Sequence, residues 1–212
     1  MRAWFAVLGA LGVTTGCLSA RSVQRNYYIL HTDTVRNQPD QILGGHLYVS
    51  DLACERIYDK EQLVLRRSPY VVRYSREQLW ATKPSRMISD IVAESFISRG
   101  TFSTVSRMLA EGRPTFSIGG NLRALEVRVE RDPWEVRIAF DLEMVRFDDG
   151  ELLWSFAYEG SRPVPVGDFD GAVEQASKLL EAGLAEAVSK LESKAQSKAF
   201  LERAFGRNPP GR

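Results

Sequence analysis

Trp134-Glu135-Val136-Arg137-Ile138-Ala139-Phe140-Asp141-Leu142-Glu143-Met144 carries an apolar side chain at every even position and a charged one at nearly every odd position. Side chains of a strand alternate between faces, so this run is a long strand with one buried and one solvated face. Asp132-Pro133 precedes it, and Asp148-Asp149-Gly150 follows it before Leu152-Leu153-Trp154-Ser155-Phe156-Ala157-Tyr158. These turn-forming residues bracket a meander whose first strand is Phe116 to Glu130. Along that first strand the apolar positions move from even (Phe116, Ile118, Leu122) to odd (Leu125, Val127, Val129). A bulge near Arg123 or Ala124 accounts for the switch, because one extra residue turns every later side chain to the other face. Gly119-Gly120, inside the same strand, points to a bulge or a close backbone approach more than to a ligand.

Downstream, Val173, Ala176, Leu180, Gly183, Leu184, Ala187 and Leu191 line one face of a long helix starting at about Asp170. Glu174/Lys178 and Glu186/Lys190 form i,i+4 pairs on the opposite face. Asp168-Phe169-Asp170 is read as the cap of this helix, since an Asp there satisfies orphan amides and complements the dipole. A calcium loop is the alternative, but the later carboxylate and glycine spacing is missing. Polarity rises beyond Lys194, and residues 206–212, ending Arg207-Asn208-Pro209-Pro210-Gly211-Arg212, are expected to be a disordered tail.

Upstream, Tyr27-Tyr28-Ile29-Leu30 reads as a first strand and His46 to Leu52, after Gly44-Gly45, as a second. Leu63 to Arg66 and Tyr70 to Tyr74 form a hairpin turning at Ser68-Pro69. From Pro84 the period changes: Met87, Ile88, Ile91, Val92 and Phe96 predict an amphipathic helix that ends at Gly100. Phe102 to Met108 is expected to be a strand completing a parallel crossover around that helix. The order of elements predicts an α/β (α+β) fold, a two-layer sandwich with a mixed β-sheet and helices packed on one face.

The chain opens with one basic residue, Arg2, then an apolar run from Ala3 to Val13, then Thr14-Thr15-Gly16-Cys17. That is the anatomy of a secretory signal peptide, and the run is too short to span a bilayer. A cysteine directly after the small residues marks a lipoprotein signal, since its thiol accepts the lipid before cleavage. Position minus three is Thr14 where Leu is usual, and a plain secretory signal is the alternative reading. The expected organisation is a signal peptide over 1–16, a lipidated tether over 17–26 with Cys17 as the lipidation site, and one domain over 27–205. Acyl chains on Cys17 would hold the protein on a membrane. Leu18, in place of a retaining Asp, favours the outer membrane, with the periplasmic face of the inner membrane as the alternative.

About 196 residues remain after cleavage, enough for one well-cored domain. The 28 basic residues nearly cancel the 27 acidic ones, for a net charge of +1, which argues against nucleic acid as a partner. Cys54 is left without an internal disulfide partner and reads as a small buried apolar residue more than as a reactive thiol. His31 and His46 lack companions at metal-ligand or catalytic spacing, and no nucleophile elbow, phosphate-binding loop or Cys-x-x-Cys occurs. Catalysis, a cofactor and a metal are therefore not expected. The aromatics Tyr27, Tyr28, Tyr58, Tyr70, Tyr74, Trp80, Trp134 and Trp154 are assigned to the core and to cross-strand pairs, with a lipid-binding groove as the alternative.

Several segments together, in order and spacing, resemble one family, the ABC-type transport auxiliary lipoproteins typified by the PqiC-like proteins. They are Tyr27 to Leu30, Tyr58-Asp59-Lys60-Glu61-Gln62-Leu63-Val64-Leu65-Arg66, Tyr74 with Trp80-Ala81 and Pro84, Gly100-Thr101-Phe102-Ser103-Thr104-Val105, and Leu122 to Glu126. Leu79 departs from the family, which usually has a basic residue before its tryptophan. The resemblance implies a non-enzymatic subunit with no ATP site of its own. Its implied partners are an MCE-domain substrate-binding protein and an ABC permease/ATPase complex, with a homo-oligomer possible. The implied cargo is phospholipid or another hydrophobic molecule. A structural or outer-membrane assembly lipoprotein is the alternative, and a periplasmic enzyme would need a constellation the sequence does not show.

Overall fold

The computed structural model describes residues 24–33, 43–109 and 112–206. The signal peptide, Cys17 and residues 207–212 of the expected tail lie outside the described residues. The elements are β1 (Asn26–Tyr28), β2 (His46–Val49), β3 (Ala53–Cys54), β4 (Gln62–Ser68), β5 (Val71–Trp80), α1 (Pro84–Arg99), β6 (Thr104–Ser106), β7 (Phe116–Arg128), β8 (Trp134–Arg146), β9 (Leu152–Val164), α2 (Phe169–Ala195) and α3 (Lys198–Phe205). The strands form one mixed sheet of nine, and the class is α+β as the sequence predicts.

The antiparallel meander β7–β8–β9 is the frame. Its register slips once in β7, where Leu122 faces Phe140 and Ala124 faces Ala139, leaving Arg123 as the extra residue. This is the bulge that the phase change of the apolar positions requires, and it keeps both Leu122 and Leu125 in the core. At Gly120 the backbone of β8 comes so close that a Cβ would overlap the Asp141 carbonyl.

The other edge of β7 takes three short parallel strands in succession. Val49 of β2 pairs with Ile118, Cys54 of β3 with Leu122, and Arg66 of β4 with Arg128. Next to β4 runs antiparallel β5, and β1 lies parallel to β5 with Asn26 opposite Gln78.

Inward-facing Phe116, Ile118, Leu122, Ile138, Phe140, Leu142 and Met144 are fully buried beneath the helices. Burying each such side chain stabilises the fold by about 1.5–3 kcal/mol. Helix α2 lays Val173, Ala176, Leu180, Leu184, Ala187 and Leu191 on this layer, and Gly183 lets it approach the rings of Tyr158 and Phe140. The Asp168 carboxylate accepts the Gly171 N–H at 2.7 Å, so it caps α2 as the sequence predicts. Helix α1 begins with Pro84, ends on left-handed Gly100 and is tied to α2 by Arg99 and Glu192 at 3.0 Å.

Two expectations are corrected, and one element is added. The chain after α1 does not complete a parallel crossover, because β6 pairs with β2 and runs opposite to β5. Beyond Lys194, within the expected domain, the more polar stretch still forms a helix: Ser197 caps α3, which buries Phe200 and Ala204 and sets Phe205 edge-on to Phe116 at 5.3 Å. Tyr58, Trp80 and Trp154 are core residues, but Tyr27, Tyr70 and Tyr74 are exposed.

Candidate functional site

Cys17, the one residue named for chemistry, lies outside the described residues, which begin at residue 24, just before the edge strand of the sheet. That edge is β1, which Tyr28 fixes by donating its hydroxyl to Asp170 of α2 at 2.8 Å. Burial and the Asp170 hydrogen bond push the Tyr28 hydroxyl up to about 12, so it stays a donor at any physiological pH. Tyr27 and Ile29, its neighbours in sequence, stay largely exposed at 61% and 62%.

Beyond Arg66 the ladder continues only between β4 and β5, so the hairpin tip from Arg67 to Val72 projects past the last β4–β7 pair. Tyr70 at this tip is 94% exposed, and Val71 and Tyr74 are exposed beside it. Arg67, Arg73 and Arg76 are exposed on the same hairpin.

The sheet face away from the helices carries a charge network that the sequence reading did not isolate. Alternation placed Glu126 on this face, where an exposed carboxylate is the ordinary expectation. In the structure the β3–β4 loop folds Tyr58 over it, with Val64, Ala124 and Ala139 as a small apolar patch alongside. The Glu126 side chain is fully buried. It accepts hydrogen bonds from the Tyr58 hydroxyl at 2.7 Å, from Arg66 Nε at 2.7 Å and from Arg128 Nε at 3.2 Å. Arg137 lies 3.7 Å away and pairs mainly with Glu159 at 2.8 Å. Burial pushes the Glu126 carboxyl up, but the Tyr58 and Arg66 hydrogen bonds and the guanidinium charges outweigh it and hold it below the ordinary range. The same burial, with the Glu126 hydrogen bond, raises Tyr58 to about 12. Every member has a partner, and the network fastens the β3–β4 loop to the sheet.

The histidines are not brought together. His46 Nε2 meets Ser106 Oγ at 2.7 Å between β2 and β6, and His31 sits exposed beside Asp33. Cys54 is half-buried, and burial raises its thiol to about 11. Among the described residues no group of three His, Cys, Asp or Glu side chains could hold a metal ion. A cavity of about 10 Å³ lies under Trp80, walled by residues including Leu63, Val136, Ala172 and Ala176. It has room for about one water and none for an acyl chain. No helix among the described residues is long and apolar enough to cross a membrane.

The model of a known family, described as ABC-type transport auxiliary lipoprotein component, matches residues 28–188. The chain belongs to that family. The match begins at the last residue of β1 and ends in α2, so it takes in β2 to β9 and the charge network under Tyr58. Among solved structures, this auxiliary lipoprotein is similar to a protein from Xanthomonas campestris of the DUF330 family. The two share 18% identity at a TM-score of 0.71, over 82% of this chain and 99% of that one. It is also similar to an uncharacterized protein at 13% identity and a TM-score of 0.62, over 79% of this chain and 99% of that one. A hypothetical protein from Chlamydia trachomatis aligns at 6% identity and a TM-score of 0.50, over 72% of this chain and 98% of that one. At these identities the likeness concerns the fold alone. No curated protein matches the auxiliary lipoprotein.

Proposed function

We propose that this lipoprotein is the membrane-anchored docking subunit of an ABC/MCE transport system that moves lipids or other hydrophobic molecules across a Gram-negative envelope. The observation that carries the proposal is the family match, which spans residues 28–188 and names the component's role as auxiliary to ABC-type transport. Acylated Cys17 holds the domain on the periplasmic face of the outer membrane, and the domain receives the MCE-domain substrate-binding protein there.

The subunit works by binding, without catalysis. Its buried carboxylate is saturated by donors, and a thiol raised to about 11 is protonated at neutral pH and so a poor nucleophile. The close packing of the core among the described residues fits a role in docking the carrier. Affinity capture of the tagged protein from crosslinked, detergent-solubilised envelopes tests this reading. An MCE protein and a permease are the expected partners, whereas recovery of barrel-assembly proteins in their place would assign the chain to outer-membrane assembly.

A further inference from the structure

We propose that the tip of the β4–β5 hairpin is a second membrane contact. In this arrangement Tyr70 and Val71 seat in the headgroup region of an anionic bilayer and Arg67, Arg73 and Arg76 meet its phosphates. The proposal rests on the reading of Cys17 as the anchor.

Three observations converge on the tip. The first is the direction of the tether. Because β1 is parallel to β5, with Asn26 opposite Gln78, the chain enters β1 from the side of the hairpin tip. Nine residues from Cys17 to Asn26 reach at most about 32 Å. Seven strand residues from Gln78 back to Val71 cover about 23 Å. An anchored Cys17 therefore allows the tip to reach the same bilayer.

The second is what the tip displays. It projects beyond the β4–β7 pairing, and Tyr70 is 94% exposed. Tyrosine combines an apolar ring with a polar hydroxyl, the combination favoured where hydrocarbon meets headgroups. The third is charge. No acidic residue lies between Glu61 and Glu77, while Arg67, Arg73 and Arg76 are exposed there and Arg66 is neutralised by Glu126. At the same end the β7–β8 loop adds Glu130, Arg131 and Asp132, a balance of one negative charge, and the start of α2 adds Asp168 and Asp170, so the basic charge is concentrated on the hairpin itself. Basic side chains beside a membrane-facing aromatic attract anionic lipid.

An acyl anchor holds the protein at the membrane without fixing its orientation. A second contact at the tip fixes the orientation as well. The opposite end, where β8 turns into β9 and α3 covers Phe116, then points into the periplasm.

The test uses the full acylated protein with Tyr70→Trp, reconstituted on vesicles of phosphatidylethanolamine and phosphatidylglycerol with brominated acyl chains. The unsubstituted protein supplies the baseline from its own tryptophans, and intact mass of the same sample reports acylation. The expected result is an added emission component, blue-shifted and at least half quenched by bromine, that weakens when Arg67→Glu and Arg73→Glu are introduced. Acylated, vesicle-bound protein whose added component stays unshifted and unquenched overturns the membrane contact while leaving the anchor in place, and frees the tip for a protein partner. An unmodified Cys17 removes the anchor reading, and this proposal falls with it.

Discussion

Arg66 and Glu126 meet across the β4–β7 pair, the guanidinium Nε 2.7 Å from a carboxylate whose side chain is fully buried. Tyr58 closes the group by donating to Glu126 and accepting from Arg66 at 3.0 Å. Removing one member of such a buried pair strands the others without compensation. Glu126→Ala is expected to lower unfolding free energy by about 3 kcal/mol, within the range for breaking a buried pair. Urea denaturation measures it, and a loss no larger than an exposed pair gives, about 0.5 kcal/mol, would show that the network is not structural.

The same carboxylate sets an acid dependence. Its folded pKa is depressed, so its stabilisation is fully present above the unfolded value of about 4.3 and is lost as pH falls through the folded pKa. Glu159 is held down by Arg137 in the same direction but is largely exposed, and solvent screening discounts it. Urea midpoints of the parent protein should decline below about pH 4.3 more steeply than those of Glu126→Gln. Equal slopes would mean that Glu126 titrates alike in the folded and unfolded chains.

The alternation of Trp134 to Met144 and the phase change at Arg123 made the meander, its faces and its bulge legible, because burial of one sheet face writes a period of two into the sequence. The stripe from Val173 to Leu191 did the same for α2. Pairing between distant strands leaves no such mark, and so the parallel crossover expected around α1 does not form: β6 pairs with His46–Tyr48 of β2, whose other edge pairs with β7. Helix α3 is hard to read because it is only eight residues long, three of them charged, although Phe200, Leu201, Ala204 and Phe205 have helical spacing and Ser197 is a good cap. Glu126 looked like any solvated strand residue, and only the fold of the β3–β4 loop over it makes it special.

Helix α3 should accordingly be part of the folded unit. Phe200 is buried against the main core, and Phe200→Ala is expected to cost about 3 kcal/mol. Thermal or urea unfolding checks this, and an unchanged midpoint would show that the domain ends with α2.

Close approach makes Gly120 and Gly183 sensitive for different reasons. Gly120→Ala drives a methyl group into the Asp141 carbonyl and should abolish the β7–β8 register, read as loss of soluble folded protein. At Gly183 the gain in helix propensity, about 1 kcal/mol, opposes a contact of 2.7 Å with the Tyr158 ring. Overpacking in a filled core costs about 1–3 kcal/mol, so Gly183→Ala should be destabilising on balance. A raised unfolding midpoint for Gly183→Ala would show that Tyr158 swings aside freely.

The central claim, an anchored subunit that docks a carrier, is tested most directly by reconstitution. The acylated protein is placed on vesicles, purified MCE-domain protein from the same envelope is added, and the vesicles are sedimented. The carrier should pellet with vesicles bearing the lipoprotein and remain in solution with bare vesicles or with Cys17→Ala protein, which has no anchor. A carrier that stays in solution beside acylated, folded lipoprotein would contradict the docking role.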